Sequence, residues 1–139
     1  MAPTVNQIRE AIAAVLGTIP DTQVSAWLLG SPTLPCLQVV SGEIPYDETF
    51  GRGSDMYVFK VQAMVGLVTD IGAQKRLGQY ANATGTYSVR AAIDADNTLG
   101  GVVQHAQVTS ASEEQVYSLP ERPPVIGREW TIEVLATGV

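Results

Sequence analysis

The sequence predicts an α+β fold, a mostly antiparallel sheet with helices packed on one face. Three observations lead there: a helical apolar period at the N-terminus, strict two-residue alternation at Tyr57–Leu67 and Arg128–Ala136, and two further helical patterns between those strands. Runs of strands interrupted by runs of helices, without regular βαβ alternation, point to helices segregated on one side of a sheet.

The first helix starts at a capping box. Thr4 and Gln7 have the spacing at which a hydroxyl and an amide satisfy each other's free backbone N–H groups. Val5, Ile8, Ala11, Ile12 and Val15 then share a face, with Gln7, Arg9 and Glu10 turned away, until Gly17 and Pro20 stop the run. Two short strands follow, Val24–Leu29 and Leu37–Val40, separated by Gly30, Pro32 and Pro35. Residues 43–55, EIPYDETFGRGSD, have no sustained period and read as a loop or arm. Within them Tyr46 and Phe50 are candidate apolar anchors, with Asp47 and Arg52 as charged contacts.

The next strand is the clearest. Tyr57, Phe59, Val61, Ala63, Val65 and Leu67 fall on one face; Met56, Val58, Lys60, Gln62 and Met64 fall on the other. The second face is only half polar, as expected of a face that meets another subunit or layer. Asp70 can cap a helix that buries Ala73, Leu77, Tyr80 and Ala81 and closes at Gly85. Ser88 opens a shorter helix with Val89, Ala92 and Ile93 inward. Val102–Thr109 and Arg128–Ala136 read as strands, and residues 110–127, with Pro120, Pro123 and Pro124, as a second arm. Trp27 and Trp130 are expected core anchors, and Lys60 and Glu133 a cross-strand ion pair. The 139 residues fit a single domain with no internal repeat.

Composition narrows the function. Charged residues make up only 16%, low for a monomer's surface, which suggests cover by other subunits. Fourteen acids against eight bases give a net charge of −6 with no basic run, which argues against tight nucleic-acid binding. Cys36 is the only cysteine, so neither an internal disulfide nor a cysteine zinc cluster can form. A buried, inert thiol is its expected state. No signal-peptide pattern or membrane-length apolar run occurs, so folding in a reducing cytoplasm is expected. The sequon at Asn82 is then chance.

The stretch Asp94–Gly101, DADNTLGG, is the richest in chemistry. A calcium loop of the EF-hand type needs oxygens at positions 1, 3 and 5, glycine at 6 and a bidentate Glu at 12. Counted from Asp94, position 6 is Leu99 and position 12 is His105, so calcium is disfavoured. Gly100 and Gly101 precede a strand rather than a helix N-terminus, and no phosphate-loop motif exists. The expectation is a turn: the helix unwinds at Asp96–Asn97, Leu99 plugs the core, and the glycines admit the chain to the next strand. Two carboxylates at a helix C-terminus each cost about 0.3–1 kcal/mol, an unfavourable placement that a basic group from a partner could offset. Asp94 and Asp96 are therefore candidate contact residues. His105, the single histidine, is expected to be structural or exposed. No catalytic constellation emerges, and neither a metal nor a cofactor is expected.

The segment Gly85–Val103, GTYSVRAAIDADNTLGGVV, resembles the corresponding stretch of tail terminator proteins of long-tailed bacteriophages, also called tail completion or minor tail proteins. The N-terminal helix, the arm PYDETFGRGSD, the strand YVFKVQAMV, the helix with AQKRL and the closing strand EWTIEVLA match in order, while Ser118–Pro124 matches nothing in the pattern. The resemblance implies a structural virion protein: a homo-oligomeric ring, usually of six subunits, that caps the tail tube and ends its polymerisation. It implies contact with the major tail tube protein on one side and a neck or connector protein on the other, with DNA passing unbound. No membrane, cofactor or catalysis is implied, and the expected location is the virion tail after assembly in the host cytoplasm. Competing expectations are a head–tail connector or stopper, a tail tube subunit, a monomeric ligand-binding domain, and a small metal-assisted hydrolase using Asp94, Asp96 and His105.

Overall fold

The computed structural model describes residues 4–27, 35–41, 54–67, 69–118 and 123–137. Among these residues three helices, α1 (Val5–Leu16), α2 (Ile71–Ala81) and α3 (Val89–Ala95), accompany six strands: β1 (Gln23–Ser25), β2 (Cys36–Ser41), β3 (Ser54–Leu67), β4 (His105–Ala111), β5 (Gln115–Tyr117) and β6 (Val125–Thr137). The sheet order is β1-β2-β3-β6-β4, and β5 pairs with the start of β6. Among the described residues only β1 and β2 run parallel; the other pairings are antiparallel. This is an α+β fold, as the periodicity predicts.

The alternation of the strands fixes which face receives the helices. Leu37 and Val39, Phe59, Val61 and Ala63, and Trp130, Ile132 and Val134 all point into one core with Ile8, Ile12 and Leu16 of α1, Leu77 and Tyr80 of α2, and Val89 and Ile93 of α3. Each helix begins at its expected cap. Thr4 and Gln7 form the reciprocal capping box, Asp70 accepts from the Gly72 N–H at 2.9 Å, and Ser88 accepts from the Ala91 N–H at 3.0 Å. Each cap satisfies a backbone donor that the helix leaves free, typically worth about 1 kcal/mol.

Several elements depart from the sequence reading. The first strand ends at Ser25, whose hydroxyl bonds both the N–H and the carbonyl of Trp27 and turns the chain away; Leu28 and Leu29 lie outside the described residues. Trp27 is therefore not a core anchor. It is 42% exposed, and its ring lies 4.6 Å from the guanidinium of Arg9, which also donates to the Ala26 carbonyl. Arg9 is thus half-buried rather than turned away. Trp130, by contrast, is buried as expected.

A bulge between Met64 and Gly66 breaks the alternation of β3, so Met64 and Val65 are both buried while Leu67 is left 48% exposed. Helix α2 ends at Ala81 with Asn82 as its cap, not at Gly85. Gly85, at φ 113°, instead makes the turn into α3, where its carbonyl accepts from the Ser88 N–H. The expected ion pair between Lys60 and Glu133 does not form; the register sets the two residues diagonally on one face, Lys60 opposite Thr131 and Glu133 opposite Val58.

The largest revision concerns residues 110–127, which do not form one arm. Ser110 and Ala111 complete β4, Gln115–Tyr117 form β5, and Val125–Gly127 open β6, with residues 119–122 outside the described set. Gln115 pairs with Gly127 and Tyr117 with Val125. The pairing depends on Gly127, which lies close under the Tyr117 ring where a side chain would collide. No helix among the described residues is long and apolar enough to cross a membrane.

Candidate interaction surfaces

The turn after α3 is built as a plug. Asp96 caps the helix, and its carboxylate accepts from the Gly100 N–H at 3.1 Å and the Thr98 hydroxyl at 3.3 Å. The Thr98 carbonyl receives the N–H groups of Gly101 and Val103, so the chain closes on itself before β4 begins. Leu99 is held at φ 51° and is 2% exposed, while Gly100 and Gly101 take φ 71° and 89°. A leucine in the left-handed region is uncommon and costs backbone energy. Burial of its side chain, worth roughly 1.5–3 kcal/mol, offsets that cost. Val102 and Val103 belong to this turn rather than to the strand, which starts at His105. The Asn97 carbonyl then receives the Ala106 N–H and ties turn to strand.

The two carboxylates have partners within the chain. Asp94 lies 3.8 Å from Arg90 one turn earlier, with both side chains more than half exposed. Such a pair contributes at most about 1 kcal/mol. Asp96 offsets its place at the helix end by accepting a backbone N–H. Asp96→Ala should lower stability by about 1–2 kcal/mol through the loosened turn, whereas Asp96→Asn, which keeps an acceptor oxygen, should lose less. Urea denaturation of the two variants checks this; equal losses would show that the turn does not depend on that acceptor.

Between α1 and α3 runs an apolar groove of about 400 Å³, lined by Ala11, Ala14, Val15, Ala92 and Ala95, with Asp96 and Gly100 at its border. Small side chains on both helices leave this space. Ala11, Val15 and Ala92 belong to apolar stripes legible in sequence, but Ala14 and Ala95 do not, and only the juxtaposition of the helices makes a groove.

The second face of the sheet is a different surface. Gln38, Met64 and Cys36 are buried there, Val40, Met56 and Val58 are half-buried, and Leu135 is 38% exposed, interspersed with Lys60, Gln62, Thr131 and Glu133. Burial pushes the Cys36 thiol above its ordinary range, with a weak opposing contribution from the Gln38 amide 3.6 Å away. That suits an unreactive thiol. Toward β5, burial and then the charge of Glu129 push the Tyr117 phenol up, while its hydrogen bond with Gln62 acts the other way.

Of the sequence-derived contact residues, Tyr46, Asp47, Phe50 and Arg52 lie outside the described residues; the arm at 43–55 is described only at Ser54 and Asp55, whose backbone belongs to β3. Asp94 and Asp96 sit at the end of α3. His105 is exposed on β4, opposite Leu135. Among the described residues no group of three or more His, Cys, Asp or Glu side chains is placed to hold a metal. The Arg9–Trp27 stack and the fit of Tyr117 over Gly127 carry no sequence signal, because each joins residues from separate elements. No protein-family model matches the chain, and no curated protein matches it significantly.

Proposed function

We propose that this chain is a structural subunit of a phage tail, forming a ring that caps the tail tube, ends its polymerisation and offers a surface for head joining. The observation that carries the assembly part is the second sheet face. The three helices pack on the opposite side, and Val40, Met56, Val58 and Leu135 are left partly open among few charges. Apolar side chains gathered on a regular face are typical of surfaces that other subunits cover. The tail-end part rests on the resemblance of residues 85–103, whose DADNTLGG segment forms the turn that buries Leu99. With a net charge of −6 per subunit, a ring of such chains sets up a negative field that keeps DNA passing and not adhering.

Electron microscopy of the purified protein with and without tail tubes tests the reading. Rings seated at one end of tubes of defined length are the expected result. Self-polymerised tubes would make the chain a tube subunit, and rings bound only to head portals would make it a connector or stopper. Within this reading the segment 43–55 contacts the tube or the next subunit. Replacing Tyr46 and Phe50 together by Ala should abolish ring or tube binding while circular dichroism and the melting temperature stay near wild type. An unfolded double variant would place both aromatics in the core instead.

A further inference from the structure

We propose that the open edge of β4, with the cavity beside it, is where an extended strand of a second copy of this chain adds to the sheet; this rests on the ring reading above. Among the described residues strand β4 is the last in the sheet, and nothing pairs with its outer side beyond the Ala106 N–H held by Asn97. An edge strand presents unpaired N–H and C=O groups, and natural proteins commonly guard such edges with lysine, proline, inward-pointing charge or a β-bulge. Residues 106–112, AQVTSAS, carry no lysine, proline or charge, and a single bulge is their one guard. The bulge between Val108 and Ser110 turns the strand, leaving Thr109, Ser110 and Ala111 exposed.

Beside those residues lies a cavity of about 180 Å³, lined by Ala81 at the end of α2, Ala83 just after it, Arg90 of α3, Val108 and Ala111 of β4, and Trp130 of β6. An edge strand flanked by one small pocket is the arrangement that strand addition uses. Main-chain hydrogen bonds extend the sheet, and alternate side chains of the incoming strand reach the pocket. The volume suits one side chain of moderate size.

Charge selects the occupant. Arg90 stands at the cavity, 59% exposed and only loosely held by Asp94. A second copy, with fourteen acids against eight bases, offers chiefly carboxylates to a neighbour. An uncharged edge with a guanidinium beside it therefore complements this chain's own acidic surface. Because β4 lies on one edge of the sheet, the contact can be head-to-tail, the kind that closes a ring when its rotation permits.

The test is the oligomeric state by light scattering of full-length wild type and three variants. Ala111→Trp and Ala83→Trp fill the cavity from exposed positions, and Arg90→Glu reverses its charge. Each should raise the concentration needed for assembly by roughly tenfold or more, the effect of about 1.4 kcal/mol, with an unchanged circular dichroism spectrum. Lys75→Glu, an equal charge change on the exposed side of α2, should leave assembly intact. Wild-type assembly in all three cavity variants overturns the edge proposal and leaves the ring standing, as does an equal loss with Lys75→Glu, which would make net charge the cause. A wild-type protein that is monomeric at every concentration overturns the ring reading itself. If one tryptophan variant misfolds, the other two decide.

Discussion

Replacing Gly127 with alanine should destabilise the protein by about 3 kcal/mol or more, at or beyond the upper end of what overpacking costs. A Cβ at this position would lie 2.0 Å from the Ala63 carbonyl oxygen and 2.3 Å from the Tyr117 ring. The tyrosine can swing away, but the carbonyl belongs to β3, which pairs with β6 along nearly its whole length. Relief therefore requires the central strand pair to part locally, with β5 displaced as well. Urea denaturation and hydrogen exchange should show lost protection at Gln115–Tyr117 and around Ala63. Tyr117→Ala in the Gly127→Ala background should recover only the smaller part of the loss, since the backbone clash persists. Full recovery would mean that the ring, and not the strand backbone, sets the constraint.

Trp130→Ala should cost about 3–5 kcal/mol, the usual range for truncating a large aromatic in a core. Trp130 is 2% exposed, pairs with Val61 on one side and Ala111 on the other, and belongs to the core that meets the helices. For a domain whose total stability is of order 5–15 kcal/mol, that is a large fraction. Trp27→Ala should cost far less, because Trp27 is half in solvent with one guanidinium against its ring. Chemical denaturation of the two variants gives the comparison, and similar losses would contradict the exposure difference. A Trp130→Ala protein that folds at low temperature should also assemble poorly, as Trp130 forms the floor of the cavity beside β4.

The legible parts of this fold were those in which one element's own period carries the information. Val5–Leu16, the central run of β3 and the closing strand each bury a face that the chain alternation specifies. Thr4, Asp70 and Ser88 were readable as caps because a cap bonds backbone within three residues. The Asp94–Gly101 turn is readable for the same reason: Asp96, Leu99 and Gly100 act over four residues, and the expected burial of Leu99 is what the turn achieves. What failed depended on distant partners. Residues 110–127 looked like an arm because a three-residue strand has too little period to register, and β5 exists only through pairing with Val125–Gly127.

The sequence by itself determined the α+β class, the helix starts, the buried stripes and the plug at Leu99, because each follows from contacts or periods within a few residues. Only the tertiary structure decided which strands are edges, that Trp27 lies under Arg9 outside the core, that Lys60 misses Glu133, and that Gly127 makes room for Tyr117. Those outcomes depend on register and on side chains meeting across the sheet. A shift of a single residue in pairing moves a side chain to the other face, and no local preference can encode that choice.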